Sequence, residues 1–239
     1  MTKPEIVTIG GGRHNETLEE SALRILQGAS WKKQRIIVLI PSAYKIDAKV
    51  YLSHCSLIFP PNNAVHRMLC LGMEVGEAYS QAIEAILSHP ELSEWEYILT
   101  MEHDNTPPQD GVLKLCESMD KHPEYACIGG LYWTKGEGGC PQIWGDPADP
   151  VLNFRPQPPR PGEVQECCGT GMGFNLWRLS MFKDEKLRKP WFKTVASAEE
   201  GFGTQDLYFW NDARKHGYRC AIDNRVLVGH YDSNTGVNW

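Results

Sequence analysis

Trp95 to Asp110 reads WEYILTMEHDNTPPQD. Tyr97 to Met101 is a short apolar run, closed on the far side by Pro107 and Pro108. Such a run predicts a strand buried on both faces, as in parallel sheets. It stops abruptly in Glu102-His103-Asp104-Asn105. In an open α/β sheet, ligands bind just outside the carboxyl ends of the strands. Two carboxylates two residues apart at such an end can both face a divalent cation, because hard cations prefer oxygen ligands. A solvated turn would use the same residue types, so the rest of the chain has to separate the two readings.

Working outward, Glu74 to Leu87 repeats apolar residues at helical spacing before the strand. After it, a helix opening at Pro108 carries Val112, Leu113, Leu115, Cys116 and Met119. Ala126 to Trp133 reads as the next strand, and Arg35 to Ile40 as an earlier one ended by Pro41-Ser42. Strand, helix and strand in alternation predict a mostly parallel, doubly wound α/β sheet with flanking helices in a single domain, residues 1–239. Between these elements, Asp47 to His54 reads as a short helix and Leu57 to Phe59 as a short strand. At the N-terminus, Glu5 to Ile9 reads as a strand, and Thr17 with Glu20 forms a capping box for a helix closed by Gly28. The glycines between them do not complete a dinucleotide fingerprint, since Asn15 stands where the third glycine is needed.

From Lys135 to Glu166 the character changes to seven prolines and several glycines without periodicity, which predicts a long functional loop or covering flap. Gly169-Thr170-Gly171-Met172-Gly173 follows, leading into apolar Phe174 to Phe182. Thr204-Gln205-Asp206 starts a helix to about His216 with Gly217 as its stop. Arg219 to Ile222 and Val226 to Gly229 read as two short strands before His230.

Composition sets bounds. A formal net charge of −6 gives no bulk support for nucleic-acid binding. No apolar run reaches membrane-spanning length, and MTKPEIVTIGGG lacks a signal-peptide layout. Eight cysteines without CxxC or zinc-ribbon spacing read as reduced thiols. The expected compartment is cytoplasmic.

Five stretches in register resemble the nucleotide-sugar-dependent glycosyltransferases of the GT-A fold, family 2 and its relatives. They are YILTMEHDNTPP at the place of the family's acidic motif, YACIGGLYW, GTGMGFNLWRLSMF as the acceptor-side loop with its following helix, GTQDLYFWNDARKHGYRCAID, and VLVGH. The agreement runs from about Arg35 to Asp232, leaving residues 1–34 outside it. Two departures stand out: Glu102 replaces the usual first Asp, and GEAYSQA stands where an Arg-Asn pair is usual.

The resemblance implies a Mn²⁺ or Mg²⁺ held by Asp104 and His230, with Glu102 as a further ligand or ribose contact. It implies Asp206 as the catalytic base, donor contacts at Pro41, Ser42, Glu102, His103 and Asp104, and acceptor contacts at Trp133, Gly169, Thr170, Gly171 and Met172. The partners implied are a nucleotide-sugar donor, with a uridine diphosphate sugar as first candidate, and an acceptor glycan, a small molecule or a hydroxylated base in DNA. The rival class is a non-catalytic nucleotide- or carbohydrate-binding module on the same scaffold. A nucleotidyltransferase would want a glycine- and lysine- or arginine-rich phosphate loop after the first strand, and Pro41-Ser42-Ala43-Tyr44 is not one.

Overall fold

The computed structural model describes residues 34–60, 64–197 and 201–239. The expected N-terminal strand and capped helix lie outside the described residues. β1 (Ile36–Ser42), β2 (Val65–Leu71), β3 (Tyr97–Met101), β5 (Cys127–Leu131), β7 (Val164–Cys167), β9 (Phe174–Arg178) and β12 (Cys220–Leu227) form one sheet in the order β2-β1-β3-β9-β5-β12-β7. β1 pairs in parallel with β2 and β3, and β5 with β12, whereas β9 runs antiparallel to both β3 and β5. Five strands therefore point one way, and β9 and β7 the other. This is a mixed, mostly parallel Rossmann-like sheet.

The strands alternate sides as period two requires. Tyr97, Leu99 and Met101 of β3 join Ile36, Val38 and Ile40 of β1 in one core layer. That layer packs against Val112, Leu115, Cys116 and Met119 of α3 (Gly111–Lys121). Ile98, with Ile37 and Leu39, faces the other layer. There Ala78, Tyr79, Ala82, Ile83 and Ile86 of α2 (Val75–Ser88) meet Phe209 and Trp210 of α4 (Gln205–Ala213). The α2 helix starts where expected because the Glu74 side chain accepts the Glu77 N–H at 3.0 Å. A further helix, α1 (Ala48–Cys55), follows β1, with Asp47 in the cap position.

Several expectations are corrected. Leu57 to Phe59 is not a strand; the strand after α1 is β2, an edge strand whose short apolar run Met68-Leu69-Cys70-Leu71 follows His66-Arg67 and leaves Leu69 and Leu71 exposed. Phe174 to Phe182 begins as strand β9 in mid-sheet and only then turns into a 3₁₀ helix, Leu179–Lys183. The two expected terminal strands are one, β12, whose register shifts between Asp223 and Leu227. The segment from Lys135 to Glu166 is mostly irregular. Its end enters the sheet as β7, β6 (Ile143–Trp144) pairs with β8 (Gly169–Thr170), and farther along β10 (Val195–Ser197) pairs with β11 (Gly201–Gly203). No helix among the described residues is long and apolar enough to cross a membrane. All eight cysteines are free.

Candidate active site

The carboxyl ends of the co-directional strands collect the chain's chemistry-bearing residues. Ser42 ends β1, Glu102 to Asp104 follow β3, and Tyr132 to Lys135 follow β5. His230 stands in β13 (Gly229–His230), just beyond β12. This is where open α/β sheets bind ligands.

After Met101 the chain turns tightly, with Asn105 N–H donating to Glu102 O at 3.2 Å. It then forms β4 (Asn105–Thr106), which pairs antiparallel with β13 in the register His230↔Asn105. Tyr231 N–H donates to Asp104 O at 2.7 Å. These bonds bring His230 beside Asp104 although 126 positions separate them in the chain. The last residues close the arrangement. His230 and Trp239 exchange both backbone hydrogen bonds, at 2.9 and 3.1 Å, and the Thr106 hydroxyl donates to Asn238 at 3.0 Å. Gly229 packs closely here: a Cβ would stand 2.4 Å from Asn238 and Thr106 side-chain atoms, which would have to shift.

The half-buried His230 ring has a defined orientation. Its Nδ1 lies 2.8 Å from the Trp133 carbonyl, which can only accept, so Nδ1 carries hydrogen. Nε2 then points at Asp104 Oδ2, 3.4 Å away. The Lys135 ammonium reaches the same oxygen at 2.5 Å. Burial alone would raise the Asp104 carboxyl. Hydrogen bonds and charge from His230 and Lys135 outweigh burial and hold it well below the usual carboxylate range. Glu102 goes the other way: burial, with repulsion from Asp104 and Asp206 and opposed by Lys135, pushes it up to about 8.

Asp206 is the second residue of α4, after the cap residue Thr204. Its helical neighbours at i+3 and i+4, Phe209 and Trp210, are buried, so Asp206 shares their inward face and is itself buried. Trp210 stacks on Trp177 of β9 at 5.4 Å and 16°, and Phe209 on Phe192 at 4.7 Å and 25°. Trp177 Nε1 donates to the Thr100 hydroxyl at 3.1 Å, fastening the cluster to β3. Burial raises the Asp206 carboxyl, against hydrogen bonds from Thr204 and the Leu207 N–H. Glu102 and the buried Tyr132 both feel Asp104 and Asp206, which places the three acids in one electrostatic neighbourhood.

The other expected contacts are placed unevenly. Pro41 and Ser42 are buried at the end of β1, where the Ser42 hydroxyl donates to Lys45 O at 3.1 Å. His103 is half-buried beside His54. Gly169, Thr170, Gly171 and Met172 are all buried. A Cβ on Gly171 would meet Tyr132 Oη at 2.3 Å and Gln142 Oε1 at 2.5 Å, so this glycine run lets backbone pack closely and turns no side chain outward. Trp133 is half-buried and takes part through the carbonyl that orients His230.

Sequence reasoning passed over Lys135 as an individual residue, Tyr132, whose ring meets His230 edge-on at 5.6 Å, and Tyr44. Tyr44 follows β1 with φ of +69°, exposed and lying over Gly72. No sequence signal announces a left-handed tyrosine.

Among the described residues, no three of His, Cys, Asp and Glu come together as a metal cage. The Asp104–His230 pair nevertheless fits a divalent cation that takes its remaining ligands from water and phosphate. Two donors at about 2.1 Å from one cation stand roughly 3.0–3.4 Å apart, and a ligating imidazole ordinarily donates its other N–H to a backbone carbonyl or carboxylate.

Comparison with known proteins finds no matching family model and no matching curated protein. Solved structures do match. A197 from STIV aligns with a TM-score of 0.59 at 15% identity over 84% of this chain and 87% of that one, a likeness of fold alone. A protein assigned as a glucose-1-phosphate thymidylyltransferase from Bacillus anthracis, in complex with a sucrose, aligns at 9% identity over 83% and 89% with a TM-score of 0.41, too low to bear on this chain.

Proposed function

We propose that this chain is a metal-dependent glycosyltransferase of the GT-A type. It moves a glycosyl unit from a nucleoside-diphosphate sugar, a uridine diphosphate sugar first among the candidates, to an acceptor hydroxyl. The observation that carries the reading is the convergence of three segments at one end of the sheet. Asp104 and His230 present an oxygen and an oriented imidazole 3.4 Å apart, and Asp206 arrives from a separate helix within the electrostatic reach of Glu102. A binding module has use for the first pair and none for the third carboxylate.

Asp104 and His230 would hold Mn²⁺ or Mg²⁺, which when bound supplies neutralisation of the departing diphosphate. The Trp133 carbonyl accepts from Nδ1 and so turns Nε2 toward Asp104, where it would serve as the metal ligand. Glu102 would be a further metal ligand or a contact to the donor ribose. Asp206 takes the proton from the attacking hydroxyl. Burial raises its pKa, which makes it a stronger base than a solvated carboxylate, and catalytic bases work best with a pKa nearer the operating pH. Pro41, Ser42 and His103 border the donor side at the same strand ends, and Trp133 with the Gly169–Met172 run borders the acceptor side.

The test is nucleoside diphosphate release from a panel of nucleotide sugars, with and without Mn²⁺. Release from at least one donor that stops on chelation and returns with Mn²⁺ is the expected result. A panel without turnover, from protein that still binds uridine diphosphate, would return the chain to the binding-module class.

A further inference from the structure

Lys135 has no role in the assignment above, yet it makes the shortest side-chain contact with the Asp104–His230 pair. Its Nζ stands 2.5 Å from Asp104 Oδ2, and His230 Nε2 approaches the same oxygen at 3.4 Å. A cation shared by Asp104 and His230 needs that oxygen. An ammonium and a divalent cation on one carboxylate oxygen repel strongly at such range, where little water stands between them.

The lysine also sits on an exposed turn. It opens a tight turn from Thr134 to Cys140, closed by Thr134 N–H to Cys140 O at 2.9 Å and Cys140 N–H to Thr134 Oγ1 at 2.8 Å. Within the turn, Gly136 and Gly138 hold φ of +99° and +77°, with nothing within 4 Å of where a Cβ would stand. No neighbour packs against those positions. The lysine stem is long and flexible, and its ammonium is a point charge that changes partner without a fixed geometry.

Resting on the metal-dependent transferase reading, we propose that Lys135 is the site's own counter-cation. It neutralises Asp104 before metal arrives, yields Asp104 to the metal, and transfers its charge to the donor's diphosphate oxygens. Metal alone has to displace Lys135 from its direct contact and leave it only the longer-range pull of Glu102 and Asp232, whereas metal with diphosphate gives it a new direct partner. Lys135 therefore makes metal and nucleoside diphosphate strengthen each other's binding, and such coupling is reciprocal.

The experiment measures Mn²⁺ binding by electron paramagnetic resonance, with and without uridine diphosphate, for wild type, Lys135→Met and Lys135→Arg. Methionine keeps an unbranched stem without the charge, and arginine keeps the charge. Lys135 is an exposed turn residue, so the folds should match by circular dichroism. Mn²⁺ alone should bind Lys135→Met tighter by about 5- to 100-fold, within the usual range for coupled sites. Uridine diphosphate should then strengthen Mn²⁺ binding by a smaller factor than in wild type, and Lys135→Arg should stay near wild type. If Mn²⁺ alone binds Lys135→Met no tighter than wild type while uridine diphosphate still strengthens it in both, the counter-cation is refuted and the metal site stands. Wild type that binds no Mn²⁺ even with uridine diphosphate would remove the metal site and the counter-cation together.

Discussion

Asp206 and Asp104 both act on the Glu102 carboxyl, but opposite means hold them in place. Asp206 rides on a helix whose inner face is locked into an aromatic cluster of Trp177, Phe192, Phe209 and Trp210. Asp104 has no such support. It is set by two-residue strands, a backbone bond from Tyr231, and side-chain charges from His230 and Lys135. Packed aromatics have one arrangement and resist change, whereas hydrogen bonds and ion pairs can exchange partners with a ligand. The Asp206 side of the site is thus built to stay put, and the Asp104 side is built to respond.

Trp210→Ala should break the rigid side. Trp210 is fully buried, and truncating a buried tryptophan costs about 3–5 kcal/mol. Urea unfolding measures the loss. Transfer should fall even where the variant is still folded, because Asp206 loses its seat, while Mn²⁺ affinity should hold. A loss under about 1 kcal/mol would mean that the cluster does not anchor the helix.

Gly229→Ala probes the responsive side. The added methyl meets Asn238 and Thr106 at 2.4 Å, and crowding of this kind costs about 1–3 kcal/mol. Here Mn²⁺ affinity should drop, by about 10- to 100-fold as for lost ligand-orienting contacts, with the aromatic cluster's near-ultraviolet dichroism unchanged. Equal Mn²⁺ affinity would show that the β4–β13 pairing does not position His230.

The smallest effect belongs to a region outside both. Glu166 on β7 is hydrogen-bonded by Arg219, with Arg214 3.5 Å away, and these cations lower its pKa against the effect of burial. A depressed carboxylate contributes stability above its unfolded pKa and loses it as pH falls through the folded value. Glu166→Gln should thus cost under about 1 kcal/mol at neutral pH, since the pair is partly exposed. The cost should vanish in acid, and neither metal binding nor transfer should change. A pH-independent difference in melting temperature would show that the pair acts by packing.

The two regions were also unequally legible. The helix of Asp206 announces itself by apolar spacing and a glycine stop, and β3 by an unbroken apolar run, so both are readable one element at a time. The segment Phe174 to Arg178 was misjudged because an apolar run buried on both faces looks alike as strand or helix. β2 carries a run of only four apolar residues, Met68 to Leu71, after His66-Arg67, and alternates weakly because it lies at the sheet edge. The Asp104 side was legible only as residue types. Two-residue strands such as β4 and β13 have no period, and a choice of partner like Lys135 for Asp104 is made by the tertiary structure. The left-handed φ of Tyr44 leaves no trace in composition at all.

The most direct measurement compares wild type with Asp206→Asn at saturating Mn²⁺, reading nucleoside diphosphate release, donor affinity and melting temperature on one preparation. Thr204 holds the cap position, and asparagine is nearly isosteric with aspartate, so stability and donor affinity should stay close to wild type. Transfer should fall about 10²–10⁴-fold, the usual contribution of a positioned general base. Undiminished transfer with undiminished binding would contradict the account by removing Asp206 from the chemistry.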